Sequence, residues 1–262
     1  MELIKAIVLG LVQGFTEFIP ISSSGHLILV GDFINFAYSG LAFDTALNIG
    51  TLAALFTFFW KDFWNLAYDF VAGGPNRKLA WYIMVATIPA VAAGVLIQDL
   101  AETVFRSNAL VAFNLMWVAV LMLVVDRSPQ LISKIQDIKM PQAVAVGFAQ
   151  ALALIPGTSR SGITIVAGRA LKMDRVTATR FSFLLSAPVI TGATLKLILS
   201  ESTLSQMSTM PLLYLGGILG AFIAGYFSIK FLIKYLSKRG LAIFAYYRLA
   251  LGALILLTMG VM

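Results

Sequence analysis

Glu17, Ser22, Ser23, Ser24 and His26 fall within ten residues of chain, and Ser159, Arg160, Ser161 and Thr164 within six. A carboxylate, an imidazole, a guanidinium and several hydroxyls together suit the transfer of a phosphoryl group. The arginine clamps phosphoryl oxygens bidentately, hydroxyls and free amides bind the others, and the carboxylate takes a proton or holds a divalent cation. Such chemistry is mostly positioning and electrostatic stabilisation. The two clusters belong to copies of one pattern. Gly10 to Gly25 read GLVQGFTEFIPISSSG and Gly147 to Gly162 read GFAQALALIPGTSRSG, a constant spacing of 137 in a chain of 262 residues. Only the first copy carries the carboxylate and the histidine, and only the second the arginine, so the natural reading is one site built from two unequal halves.

The elements that must position these groups follow from the pattern. In each copy an apolar helical run meets a loop of Pro, Gly and Ser and then a second short apolar run, 26–36 and 163–171. Each loop opens a helix, whose unpaired amides and positive dipole end favour anions, and Gly25 and Gly162 are expected to permit close backbone approach. N-capping alone accounts for one serine per loop. Gln13 stands four residues before Glu17 and shares its helical face. The expected metal ligands are therefore Glu17 and a neutral oxygen of Gln13, holding Mg²⁺ or Ca²⁺ together with substrate phosphates. The bland alternatives are a structural Glu17–Arg160 ion pair and a packing role for His26.

With 60% hydrophobic and 12% charged residues, against about 25% charged in soluble domains, the chain reads as an all-α polytopic membrane protein. Its lack of cysteine excludes disulfides, thiolate metal sites and a cysteine nucleophile. The first twenty residues lack a basic start and a small-residue cleavage site and read as mature structure rather than a signal peptide. Six stretches approach the ~20 apolar residues of a span: 43–60, 80–98, 109–126, 180–199, 212–236 and 242–261. The repeat cores read instead as re-entrant hairpins, because irregular backbone survives at membrane depth only against protein or a wet cavity. The expected organisation is a single membrane domain, 1–262. Repeat 1 covers about 1–126 with its hairpin at 3–37, and repeat 2 about 140–262 with its hairpin at 141–171. Three spans per half is odd, so the second half is inverted and the two loops meet near the midplane. Fourteen Lys and Arg collect on one side in this scheme against Lys5, Arg106 and Lys196 on the other. The rich side is then cytoplasmic, both termini lie outside and the first hairpin enters from outside. Basic loops beside anionic lipid account for the net charge of +7, so no nucleic acid is implied.

At these residues the chain resembles the undecaprenyl-diphosphate phosphatases of the bacitracin-resistance type. Their signatures are an acidic residue or Gln followed four later by Glu, met here by Gln13 and Glu17, and PGxSRSxxT, met by Pro156, Gly157, Ser159, Arg160, Ser161 and Thr164. FTEFIPISSSGH and FSFLLSAPVITGA look like further family segments. The resemblance implies a membrane hydrolase that removes the terminal phosphate of a C55 polyprenyl diphosphate and so recycles the lipid carrier for cell-wall synthesis. It implies catalytic roles for Glu17, Ser23, His26 and Arg160. Substrate-binding roles fall to Ser22, Ser24, Gly25, Ser159, Ser161, Gly162 and Thr164, and divalent-ion stimulation is expected. The nucleophile is Ser23, His26 or water. The expected partners are the diphosphate lipid and the bilayer, with a homodimer as the assembly and the site open to the outer face.

Two other classes compete. Acid-phosphatase-like lipid phosphatases need two histidines, and this chain has one. A transporter or flippase of an anionic polyprenyl lipid suits an inverted repeat but has no need of Glu, Ser, His and Arg together. Elsewhere, Arg248 inside the last span is expected to snorkel toward the basic side. Asp44 and Asn48 share a face near the outer end of the first span, as cavity lining or as a bond to the hairpin. Gly216, Gly217, Gly220 and Gly225 suggest close helix packing.

Overall fold

The computed structural model describes residues 1–38, 40–103 and 107–259. Arg106 and the last two residues of the sixth expected span lie outside them. Twelve α-helices follow one another among the described residues: α1 Glu2–Phe18, α2 Ser23–Phe33, α3 Leu41–Phe58, α4 Trp60–Ala72, α5 Arg77–Thr103, α6 Asn108–Val125, α7 Met140–Leu152, α8 Arg160–Ala170, α9 Arg175–Ile198, α10 Glu201–Thr209, α11 Pro211–Leu236 and α12 Ala242–Met259. A 3₁₀ turn, Ile135–Asp137, precedes α7. The protein is all-α, with several long apolar helices of the kind found in multi-pass membrane proteins.

Among the described residues three helices are long and apolar enough to cross a membrane, Arg77–Leu96, Asn108–Val125 and Pro211–Leu236, and a fourth is reached if α3 and α4 count as one bent span. The sequence leads one to expect six. Physical causes separate the remainder. α9 spends much of its surface on buried hydroxyls, Thr177, Thr179, Ser182, Ser186 and Thr194, which lower its hydropathy while facing protein. α12 is apolar but short over its described residues. α3 and α4 meet at a 75° bend at Phe59, where the sequence reading has a single span ending. Beyond it α4 exposes Trp60, Trp64, Tyr68 and Val71 and buries Leu66, a two-faced helix turned away from the direction of α3.

The helices of the second half repeat the first in order and kind. α2 and α8 are each eleven residues long, and α1 packs on α2 as α7 packs on α8. α1 lies most extensively on α11 and α7 on α5, while α6 packs on α12 and α3 on α9. The backbones come close enough at two of these crossings that only glycine fits. A Cβ at Gly10 would overlap the main chain of Gly217, and one at Gly147 the main chain of Ala86. The close packing expected of the fifth-span glycines is therefore present, with α1 and α3 as its partners. The principal core runs between the halves. Phe18 on α1 meets Phe183 on α9 edge-on at 5.4 Å, and Phe59 meets the same ring at 6.1 Å, fixing the end of α1 where the site begins.

Candidate functional site

α1 stops at Phe18 because Ile19 precedes a proline and is driven to extended backbone, with φ −68° and ψ 135°. The chain then turns through Ser22, at φ 76° and ψ 99°, into α2. The second loop does the same through Ser159, at φ 68° and ψ 115°, into α8. Four non-glycine residues have positive φ among the described residues: Ser22, Asn35, Ser159 and Lys172. They form two pairs with the 137-residue spacing of the motif, one residue before each short helix and one after it. Such backbone costs about 1–3 kcal/mol per residue and persists only where the surroundings enforce it.

The two turns bring the first residues of α2 and α8 to the carboxylate of α1. Ser23 Oγ donates to Glu17 Oε2 at 2.6 Å, and Arg160 donates from Nη2 to Glu17 Oε1. Gln13 Nε2 donates to Glu17 Oε2 at 3.1 Å and to Asn48 Oδ1 at 2.8 Å. Glu17 and Arg160 are 10% and 18% exposed, so a partly buried ion pair spans the two halves of the chain. These groups line a cavity of about 430 Å³ together with Ser22, Ser24, Ser159, Asp44 and Asn48. Its apolar wall includes Ala90 and Val189, each just after a proline that interrupts its helix, Pro89 in α5 and Pro188 in α9. Asn48 thus both lines the cavity and bonds the hairpin.

The other expected residues stand behind this lining. His26 Nδ1 is 2.7 Å from the carbonyl of Ser22, and Nε2 is 2.6 Å from the hydroxyl of Tyr247, whose ring stacks on the imidazole. A carbonyl only accepts, so Nδ1 carries the proton, and in the neutral form of the ring Nε2 accepts from Tyr247. Ser161 Oγ donates to the carbonyl of Ile19 at 3.4 Å, joining α8 to the first loop. Thr164 bonds the carbonyl of Arg160 at 2.7 Å and lies 2.6 Å from Ser182 Oγ on α9. Ser159 accepts from the amide of Gly162 at 3.2 Å, a true N-cap, whereas Ser22 caps nothing with its side chain and lies 3.3 Å from Ser24 Oγ. A Cβ on Gly162 would press on Ser159 and Met122, but one on Gly25 would meet nothing nearer than 3.9 Å. Protein side chains thus crowd the position at Gly162 and leave it open at Gly25.

Arg248 does not snorkel. Its side chain is fully buried and donates to five carbonyls: Leu115 and Asn114 of α6, Pro20 of the first loop, and Gly157 and Thr158 of the second. Asn114 Nδ2 adds a bond to the carbonyl of Pro156 at 2.9 Å. The reason is local: carbonyls left free by two irregular loops supply acceptors in the interior. The only sequence signals for these two residues are a charge and an amide inside apolar spans, and Tyr247 gives none. No group of three or more His, Cys, Asp or Glu side chains lies together as a metal cluster among the described residues.

Residues 6–254 match the family model described as Bacitracin resistance protein BacA. Curated relatives named undecaprenyl-diphosphatase include those of Moorella thermoacetica, 44% identical over 258 residues and 97% of each chain, and Pelotomaculum thermopropionicum, 41% identical over 254 residues, which are 96% of this chain and 95% of the relative. A third, from Methanosphaera stadtmanae, is 42% identical over 96% of each chain. A match of this extent, over a chain whose two motif loops converge on one cavity, places the protein in the bacitracin resistance protein BacA family.

Proposed function

We propose that the protein is an undecaprenyl-diphosphate phosphatase, hydrolysing a C55 polyprenyl diphosphate to the monophosphate and inorganic phosphate. It thereby recycles the lipid carrier for cell-wall synthesis and confers bacitracin resistance. The observation that carries the reading is the meeting of Ser23, Glu17 and Arg160 at the start of two helices. The relatives' shared name supports it.

The geometry favours Ser23 as nucleophile over His26, since both ring nitrogens of His26 are already engaged while Ser23 lines the cavity. The terminal phosphate is held by Arg160 and by the amides opening α2 and α8. Ser23 Oγ attacks its phosphorus, passing its proton to Glu17, and the bond to the bridging oxygen breaks, so the polyprenyl monophosphate leaves. Water then attacks the phosphoserine, restoring Ser23 and releasing phosphate, with Glu17 as the proton carrier. His26 positions the Ser22 carbonyl and thereby the loop that presents Ser23. Ser22, Ser24 and Ser159 offer hydroxyls to the headgroup, and Ser161, Thr164, Gly25 and Gly162 shape the loops around it.

A divalent cation, Mg²⁺ or Ca²⁺, belongs to the same reading. Gln13 Oε1 is buried without a hydrogen-bond partner, and with a Glu17 oxygen it would hold the ion. The ion would neutralise charge on the diphosphate, the phosphates completing its coordination. In the membrane, α1–α2 and α7–α8 act as re-entrant hairpins of two inverted repeats. α4, with its Trp and Tyr face, lies along the cytoplasmic interface, both termini are outside, and the site opens to the outer face.

The test is phosphate release from C55 polyprenyl diphosphate by the purified protein in detergent, with and without chelator. Release that falls with chelator is expected. Folded protein that releases no phosphate with any divalent ion would overturn the reading and leave transport of an anionic lipid in its place.

A further inference from the structure

Gln150 occupies in the second repeat the place that Gln13 holds in the first, 137 residues on. Both are 2% exposed, both line the cavity and both leave Oε1 without a partner, but their amide nitrogens differ. Gln13 spends its Nε2 on Glu17 and Asn48. The residues at the equivalent places beside Gln150, at the same spacing, are Leu154 and Leu185, which offer no acceptor. Neither Nε2 nor Oε1 of Gln150 has a hydrogen-bond partner among the described residues. Because both atoms are unpartnered, the conclusion does not depend on which way the amide is oriented.

A buried amide with neither end bonded is rare in folded proteins, and an apolar side chain of the same shape would suit a purely structural position better. The cavity it faces is the one that contains Arg160 and Ser159. We infer that Gln150 binds the diphosphate headgroup directly: Nε2 donates to a phosphoryl oxygen and Oε1 accepts from a water of the headgroup's shell. Arg160 supplies the charge, and Gln150 supplies a fixed neutral donor from the other helix of the second hairpin. The two halves of the repeat thus put equivalent amides to two tasks, Gln13 orienting Glu17 and Gln150 holding substrate. This inference rests on the phosphatase reading for the identity of the ligand.

The experiment compares wild type with Gln150→Met, which keeps shape and removes both polar atoms, and Gln150→Glu, which puts an anion beside the headgroup. Steady-state hydrolysis is read beside the thermal shift given by a methylene-bridged polyprenyl diphosphate analogue, which binds without turnover. Gln150→Met should melt no lower than wild type, raise KM about ten-fold with kcat within about three-fold, the pattern of lost uniform binding, and lose most of the analogue's thermal shift. Gln150→Glu should bind the analogue more weakly still. An unchanged KM and thermal shift in Gln150→Met, or a melting point below wild type that marks the amide as structural, would overturn the inference. Wild-type protein that binds the analogue without hydrolysing substrate would sink the phosphatase reading and leave the assignment of Gln150 to be read from the shift alone.

Discussion

Glu17 holds Arg160 on one oxygen and Ser23 on the other, so whatever draws the guanidinium away frees a carboxylate beside a serine hydroxyl. In the proposed mechanism a substrate diphosphate would do that, competing for Arg160 and leaving Glu17 ready to accept the proton of Ser23. The Glu17–Arg160 ion pair expected from the sequence is present, and the proposed mechanism gives it a use. His26 belongs to a different set of bonds, and its hydroxyl partner permits a test. Tyr247→Phe should lower kcat about ten-fold or less with a small change in KM, because it loosens the ring without removing a reacting group; a loss near the 10²–10³-fold expected of a group that stabilises the transition state would mean that Tyr247 itself donates a proton there. Most of this cluster was legible in the sequence, since repeated motifs expose unusual residue types at fixed spacing. Tyr247 was not, because a tyrosine in an apolar helix has the same composition whether it faces lipid or a histidine.

Two irregular loops inside an apolar protein leave carbonyls that water cannot reach, and α12 answers them with one side chain. Arg248 ties α6 to both loops at distances between 3.0 and 3.3 Å, so α12, which has no residue in the described cavity lining, anchors the two loops to a common point. Lysine has three donors on a single point and cannot span five acceptors. Arg248→Lys should fold, with a stability loss of about 2–4 kcal/mol for the carbonyls left without partners, and kcat/KM should fall about 10²-fold from misplacement alone. Turnover by Arg248→Lys equal to wild type, measured beside its melting point, would show that the loops hold their own spacing. The sequence marked Arg248 only as a charge within a span, because its partners are backbone carbonyls, which have no residue signature. It likewise missed α4, whose aromatic residues at 60, 64 and 68 continue the apolar pattern of the preceding span while the bend at Phe59 turns them onto a separate face.

At the scale of the molecule the two halves run through the same order of helices, and their loops share an unusual backbone at equivalent residues. The repeat was legible from the 137-residue spacing, and the pairing of α1 with α11 and α7 with α5 was not, since a crossing set by Gly10 or Gly147 needs the partner's backbone to identify it. The proposed orientation can be read directly because the chain has no cysteine. In intact cells, an impermeant maleimide should label Ser208→Cys, beyond α9, and spare Lys238→Cys, beyond α11, until the membrane is opened; the reverse pattern would invert the topology. The central claim is that one site is divided between the halves, with Glu17 from the first and Arg160 from the second acting as a unit. Its most direct test is a double-mutant cycle on kcat/KM for phosphate release, with Glu17→Gln, Arg160→Gln and the double variant, each checked for folding. Each single change should cost about 10³-fold and the double little more, as for residues that work together. Losses that multiply in the double variant would mean that the two halves act independently and would contradict the account.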